Sequence, residues 1–184
     1  MNKLLLALSA LAVALPGAAQ AQSTTSTKEF AVIGSVPPMC AGGTLTGGNS
    51  TFDLGVLIDT TTGFLRTDLA APNKVLTGSF CTTRSTINVT ATPLTAQNFT
   101  ATPPAGFSRT VNYTATAAGW TTTAASFNTA SATNAAATQT RNTAFTGDIT
   151  VGIGSFATGG GNSLRMIADT SYRGLVTVTL AAVN

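Results

Sequence analysis

From residue 26 onward, apolar and polar side chains alternate with a period of two, and this constrains the chain more than any other feature. Phe30, Val32 and Val36 alternate with Ala31, Ile33 and Ser35, and Phe52, Leu54 and Val56 with Asp53 and Gly55. Ile87, Val89 and Ala91 alternate with Thr86, Asn88, Thr90 and Thr92, and Val111 and Tyr113 with Thr110, Asn112 and Thr114. Ile149, Val151 and Ile153 alternate with Thr150 and Gly152, and Val176, Val178 and Leu180 with Thr177 and Thr179. Such alternation marks strands with one buried and one wet face. Thr makes up about a fifth of the chain. Its branched side chain suits a pleated surface and covers wet faces where other proteins use ions. Turn signals separate the runs, at Pro37-Pro38, Gly42-Gly43, Gly47-Gly48-Asn49, Pro72-Asn73, Pro103-Pro104 and residues 159–162. The best helix candidate, residues 124–138, is Ala-rich but interrupted by Ser, Thr and Asn, and reads as an irregular or hairpin-like excursion. The expectation is all-β, a single β-sandwich.

The start of the chain has a different character. Met1-Asn2-Lys3 leads into an apolar run from Leu4 to Leu15, then Pro16, Gly17 and Ala19-Gln20-Ala21. This is the pattern of a secretory signal peptide cleaved after Ala21, and it is shorter than the roughly 20 apolar residues of a membrane-spanning helix. The expected organisation is a signal peptide over residues 1–21, an N-terminal extension over 22–38 and one sandwich domain over 39–184. No later stretch reaches membrane-spanning length, so no membrane span is expected after cleavage. The cations are scattered singly and the surplus is only three charges, which argues against nucleic acid as a partner. In an exported chain, the only two cysteines, Cys40 and Cys81, allow a single pairing. The alternatives, a reactive thiol or a two-ligand metal site, lack any His or further Cys to complete them.

Composition also limits chemistry. Only 8% of residues are charged and none is histidine, which removes the commonest general base and metal ligand. Six carboxylates remain: Glu29, Asp53, Asp59, Asp68, Asp148 and Asp169. A glycosidase pair drawn from Asp53 with Asp148 or Asp169 is conceivable, but each lies near a turn, where Asp is a common turn former. Gly152-Ile153-Gly154 and the triple glycine at 159–161 lack the βαβ context and Lys-Ser/Thr of nucleotide loops. No enzymatic activity and no cofactor are expected. Asn-x-Ser/Thr matches at Asn49, Asn88, Asn98 and Asn112 arise readily in a chain this rich in Asn and Thr. Trp120, Phe127 and Phe107 read as core before they read as a sugar-stacking platform.

The two ends carry the functional signal. A strand-like segment, Lys28 to Val36, is cut off by Pro37-Pro38 just before Cys40, and the last alternating run, Leu175 to Val183, ends the chain. A final strand at the very end and a spare apolar strand at the front leave a core short of one strand. Cys40, then Phe52-Asp53-Leu54-Gly55, then Gly78-Ser79-Phe80-Cys81 running into Ile87-Asn88-Val89-Thr90, and a closing Tyr172-x-Gly-x-Val-Thr-Val-Thr-Leu, resemble the subunits of chaperone-usher pili. The nearest type is the archaic branch, with the spore coat U-like secreted proteins. The resemblance covers both ends and the Cys-to-Cys segment but not residues 93–145.

That resemblance implies an incomplete immunoglobulin-like sandwich completed by donor-strand exchange, with Cys40 and Cys81 as its disulfide. It makes Phe30, Val32, Gly34 and Val36 the donor-strand side chains, and Val176, Val178 and Leu180 the strand bordering the acceptor groove. Implied partners are other copies or related subunits, a periplasmic chaperone and an outer-membrane usher. The implied location is the periplasm in transit and then a surface or extracellular fibre, a setting of cell adhesion. The alternative expectation is a self-complemented, monomeric, secreted module. There Lys28 to Val36 folds back into its own sandwich and loops such as 157–162 bind glycan or host protein.

Overall fold

The computed structural model describes residues 25–183; the signal peptide expected over residues 1–21 lies outside them. Among the described residues the chain is all-β, with curled antiparallel sheets in a sandwich-like fold. The strands are β1 (Cys40–Ala41), β2 (Thr44–Thr46), β3 (Lys74–Cys81), β4 (Ser85–Ala96), β5 (Phe107–Ser108), β6 (Thr110–Ala118), β7 (Ala125–Asn128), β8 (Thr138–Arg141), β9 (Phe145–Thr158), β10 (Arg165–Met166) and β11 (Tyr172–Ala182). The sheet order is β1-β3-β9-β6-β4-β11, with β2 also on β3, β7 on β6 and β8 on β4. Strands β5 and β10 form a separate parallel ladder.

The two layers arise because β4 and β6 share only a short stretch of ladder. They pair at Leu94↔Val111 and Thr95↔Thr110 and then diverge. Beyond that point β6 continues with β7 and β9, while β4 continues with β8 and β11. The faces turned toward each other carry the expected apolar positions: Ile87 and Val89 of β4, Tyr113, Ala115 and Ala117 of β6, Ile149 and Val151 of β9, all buried. Val176, Val178 and Leu180 of β11 pack half-buried against this core, and Thr177 and Thr179 between them face water. Thus in β4, β6, β9 and β11 the alternation read from the sequence is the alternation of burial.

Trp120 is fully buried and donates Nε1–H to Ser85 Oγ at 3.1 Å, with the Phe145 ring edge-on at 5.2 Å. The Arg141 guanidinium lies 3.5 Å from the Phe145 ring centre and donates to the Trp120 carbonyl. Core packing is therefore the role of Trp120, and Phe127 also packs against the core, whereas Phe107, expected there too, is 40% exposed. Residues 124–138 form β7, a turn held by Asn134 bonding Asn128, and a 3-10 turn over Ala135–Ala137. Of the irregular or hairpin-like excursion expected, the irregular form is found, since β7 pairs with β6 and β8 with β4 and not with each other.

Two expected strands are absent. Residues 52–56 alternate in sequence but form no ladder: the Asp53 carboxylate accepts the Gly55 N–H at 2.9 Å, and Gly55 takes a φ of 61°. This local turn, open to glycine without steric cost, outcompetes a ladder. Residues 28–36 also carry no regular structure. Phe30, Val32, Ile33 and Val36 are all exposed.

Candidate docking groove

Strand β11 pairs with β4 from Tyr172↔Ala96 to Ala182↔Ser85, and among the described residues no strand pairs with its other edge. An edge strand presents a row of unpaired N–H and C=O groups. At eleven residues, this edge is long. Beside it lies a groove of about 1020 Å³, at the upper end of the range for ligand cavities. One wall is residues 50–58 and the other is residues 166–176. Leu94, Tyr113 and Ile153 complete the lining.

The lining is mostly apolar. Phe52, Leu54, Leu94, Ile153 and Val176 are half-buried, and Val56 and Leu175 stand 59% and 63% exposed at the rim. Phe52 and Leu54 turn inward while Asp53 between them is exposed. The period of two survives here although the strand does not. The Lys74 ammonium sits 5.8 Å from the Phe52 ring centre, within cation–π range.

Hydrogen bonds stiffen the wall at β11. The Tyr113 hydroxyl donates to the Leu175 carbonyl at 3.2 Å, and the Tyr172 hydroxyl to the Ile167 carbonyl at 2.8 Å. Burial pushes the Tyr113 phenol up to about 12. Burial also raises Tyr172 to about 12, helped by the Asp169 carboxylate and opposed by Arg109. A bulge between Arg173 and Leu175 follows from Gly174, where a Cβ would come within 2.7 Å of the Thr92 carbonyl. Leu175 N–H leaves the regular ladder there and donates to Thr92 Oγ1.

Asp169, which lines the groove, ties the start of β11 to the turn after β4. Its carboxylate accepts from the N–H groups of Asn98, Phe99 and Ser171 and from Asn98 Nδ2, all at 2.8 Å. Desolvation acts to raise this carboxyl, but the hydrogen bonds from Ser171, Phe99 and Asn98 outweigh it and hold it below the usual range. Asp53 lines the same groove and is bonded to Gly55 N–H, whereas Asp148 lies elsewhere and accepts the Gly78 N–H at 2.9 Å. Asp59 accepts from Thr61, and Asp68 pairs with Arg66 at 2.7 Å. Each of these five carboxylates holds backbone or an adjacent cation. Among the described residues no three His, Cys, Asp or Glu gather as metal ligands, and no helix is long and apolar enough to cross a membrane.

Cys40 and Cys81 form a disulfide between β1 and β3. Val176 lines the groove, while Val178 and Leu180 continue along β11 on the core side beyond it. Phe30, Val32, Gly34 and Val36 are exposed. The turn residues 166–171 and Asp169 were not singled out as groove walls from the sequence, because their placement depends on the hydrogen bonds to residues 98 and 99, distant in the chain. Comparison with protein-family models, with curated proteins and with solved structures finds no match.

Proposed function

We propose that this chain is an exported structural subunit of a surface fibre, and that copies join when residues 30–36 of one enter the groove beside β11 of the next. The observation that carries this reading is the free edge of β11 standing beside an apolar groove in a chain that also exposes an apolar segment of matching period. In that segment Phe30, Val32 and Val36 are 86%, 96% and 79% exposed. Adding a strand would satisfy the open edge by main-chain hydrogen bonds, and alternate side chains would set the register. Phe30, Val32, Gly34 and Val36 form the face better suited to the groove. The opposite face, Ala31, Ile33 and Ser35, is smaller and more polar.

The chemistry of the groove favours such an occupant. Its charged lining residues are Asp53, Asp169 and Arg173, and the two carboxylates are engaged by backbone N–H groups. Because one surface donates and a different one accepts, the contact is heterologous and repeats into an open fibre. Before assembly the open edge and apolar groove are an aggregation hazard, so a periplasmic chaperone and an outer-membrane usher fit as partners. The role is structural and adhesive, with no catalysis.

Deletion tests this directly. The protein is expected to give heat-resistant ladders on gels, and removing Gln22 to Val36 is expected to abolish them. Ladders that persist in the deletion would refute strand donation.

A further inference from the structure

The point where the chain enters β1 is held unusually firmly. Cys40 faces Cys81 in the ladder and is bonded to it through the disulfide. One residue further, Thr82 N–H donates to the Met39 carbonyl at 2.9 Å and Met39 N–H donates to Thr82 Oγ1 at 3.0 Å. The Thr82 hydroxyl lies 3.1 Å from the Pro37 carbonyl and 3.4 Å from that of Met39, and donates to one of them. A single exposed threonine thus grips residues 37 to 39. Proline fixes φ near −65° and restricts the residue before it to extended conformations. With Pro37 and Pro38 adjacent, Val36 and Pro37 are both kept extended.

The topology says which way this stiff stretch leads. Read backward from Thr46 to Cys40, the chain follows β3 toward Cys81, because β1 and β2 are antiparallel to it. The same end of the fold holds the finish of β11, where Ala182 faces Ser85 and Val183 N–H donates to the Arg84 carbonyl at 2.8 Å. The groove is lined by the opposite half of β11, residues 172–176. From Ala182 back to Val176 is about 20 Å of strand at ~3.4 Å per residue. For residues 30–36 to fill the groove of their own copy, the chain must reverse at this end and run back along β11. The prolines and Thr82 resist that reversal where it would be tightest.

We propose that Pro37, Pro38 and the Thr82 hydroxyl form a collar that sends the apolar segment to another copy and denies it the groove of its own. The inference rests on strand donation as the function. Without the collar, a tethered segment competes at an effective concentration on the order of mM, which exceeds protein at about 10 μM by roughly a hundredfold. A fibre-forming chain therefore needs some barrier to self-insertion. Thr82 is a positioning residue in this scheme, acting through Pro37 and Met39.

The test compares the full chain with a Pro37→Gly/Pro38→Gly/Thr82→Val variant by light scattering, with dye binding to report an open apolar groove. The wild type is expected to form multimers that grow with concentration. In the variant the multimer fraction at about 10 μM falls at least tenfold, leaving monomers that bind no more dye per chain than the wild type. Multimers at the wild-type level would overturn the collar, as would monomers with strongly increased dye binding, since these would show donation lost and not rerouted. Thr82→Val alone changes only an exposed side chain and decides by the same criteria if the triple variant does not fold. A wild type that is itself a dye-silent monomer refutes strand donation, and the collar with it.

Discussion

The Tyr113 hydroxyl, on β6, donates to the Leu175 carbonyl, on β11, at 3.2 Å across 62 positions of sequence. The ring is buried, with only 3% of the residue exposed, and lies 6.2 Å from that of Phe156. The bond joins the two layers where they line the groove, next to the bulge at Gly174. The position of β11, and so the shape of the groove, depends on a side chain from the other layer.

Replacing Tyr113 with Phe keeps the buried ring and removes only this bond. The expected cost is about 1 kcal/mol, the usual net worth of a neutral hydrogen bond. Urea unfolding with an unchanged slope should show it. The Leu175 amide should also exchange faster with solvent, and a variant as stable as the parent would mean the bond contributes nothing.

Alkaline pH should destabilise the fold through its two tyrosines. Both phenols are raised to about 12 from an ordinary value of 10, chiefly by burial. The folded state therefore holds these protons to higher pH than the unfolded state does. This contribution is fully present below pH 10 and is lost as pH rises through 12. Tyrosinate absorbance of the native protein should stay low near pH 10 and rise near 12, while in denaturant it should rise at the ordinary value. Coincident native and denatured titrations would contradict the buried environment.

The disulfide closes a loop with a sequence separation of 41. In the chain-entropy account a loop of that length stabilises by about 4 kcal/mol. Cys40→Ala with Cys81→Ala should lower the unfolding free energy by about that amount, measured by denaturant titration under non-reducing conditions. The N–H groups of Met39 and Thr82 should also lose protection from exchange, because their hydrogen bonds sit directly beyond the bridge. A loss below about 1 kcal/mol would show that the reduced chain is already constrained.

Much of the fold was legible in the chain because burial follows local pattern. Ile87 and Val89, Val111 and Tyr113, Ile149 and Val151 are buried as their alternation implied, since a strand sends neighbouring side chains to opposite faces whatever it pairs with. The disulfide was legible because two cysteines allow one pairing. The inward turn of Phe52 and Leu54 was legible too, but their secondary structure was not. A short-range bond from Gly55 to Asp53 replaced the ladder there, and alternation does not register such a bond.

By itself, the sequence determined that this protein is all-β, which side chains are buried in most of its strands, and that its ends carry apolar alternation. These follow from periodicity, composition and turn residues, each a matter of a few neighbouring positions. Only the tertiary structure decided that β4 parts from β6 after two register pairs, that β11 stands at an edge, and that residues 50–58 and 166–176 face each other across a groove. Those outcomes depend on hydrogen bonds between segments far apart in the chain, such as Tyr113 to Leu175, Asp169 to Phe99 and Thr82 to Met39. No local pattern encodes which distant carbonyl or amide a side chain will meet, because that choice is made when the layers close.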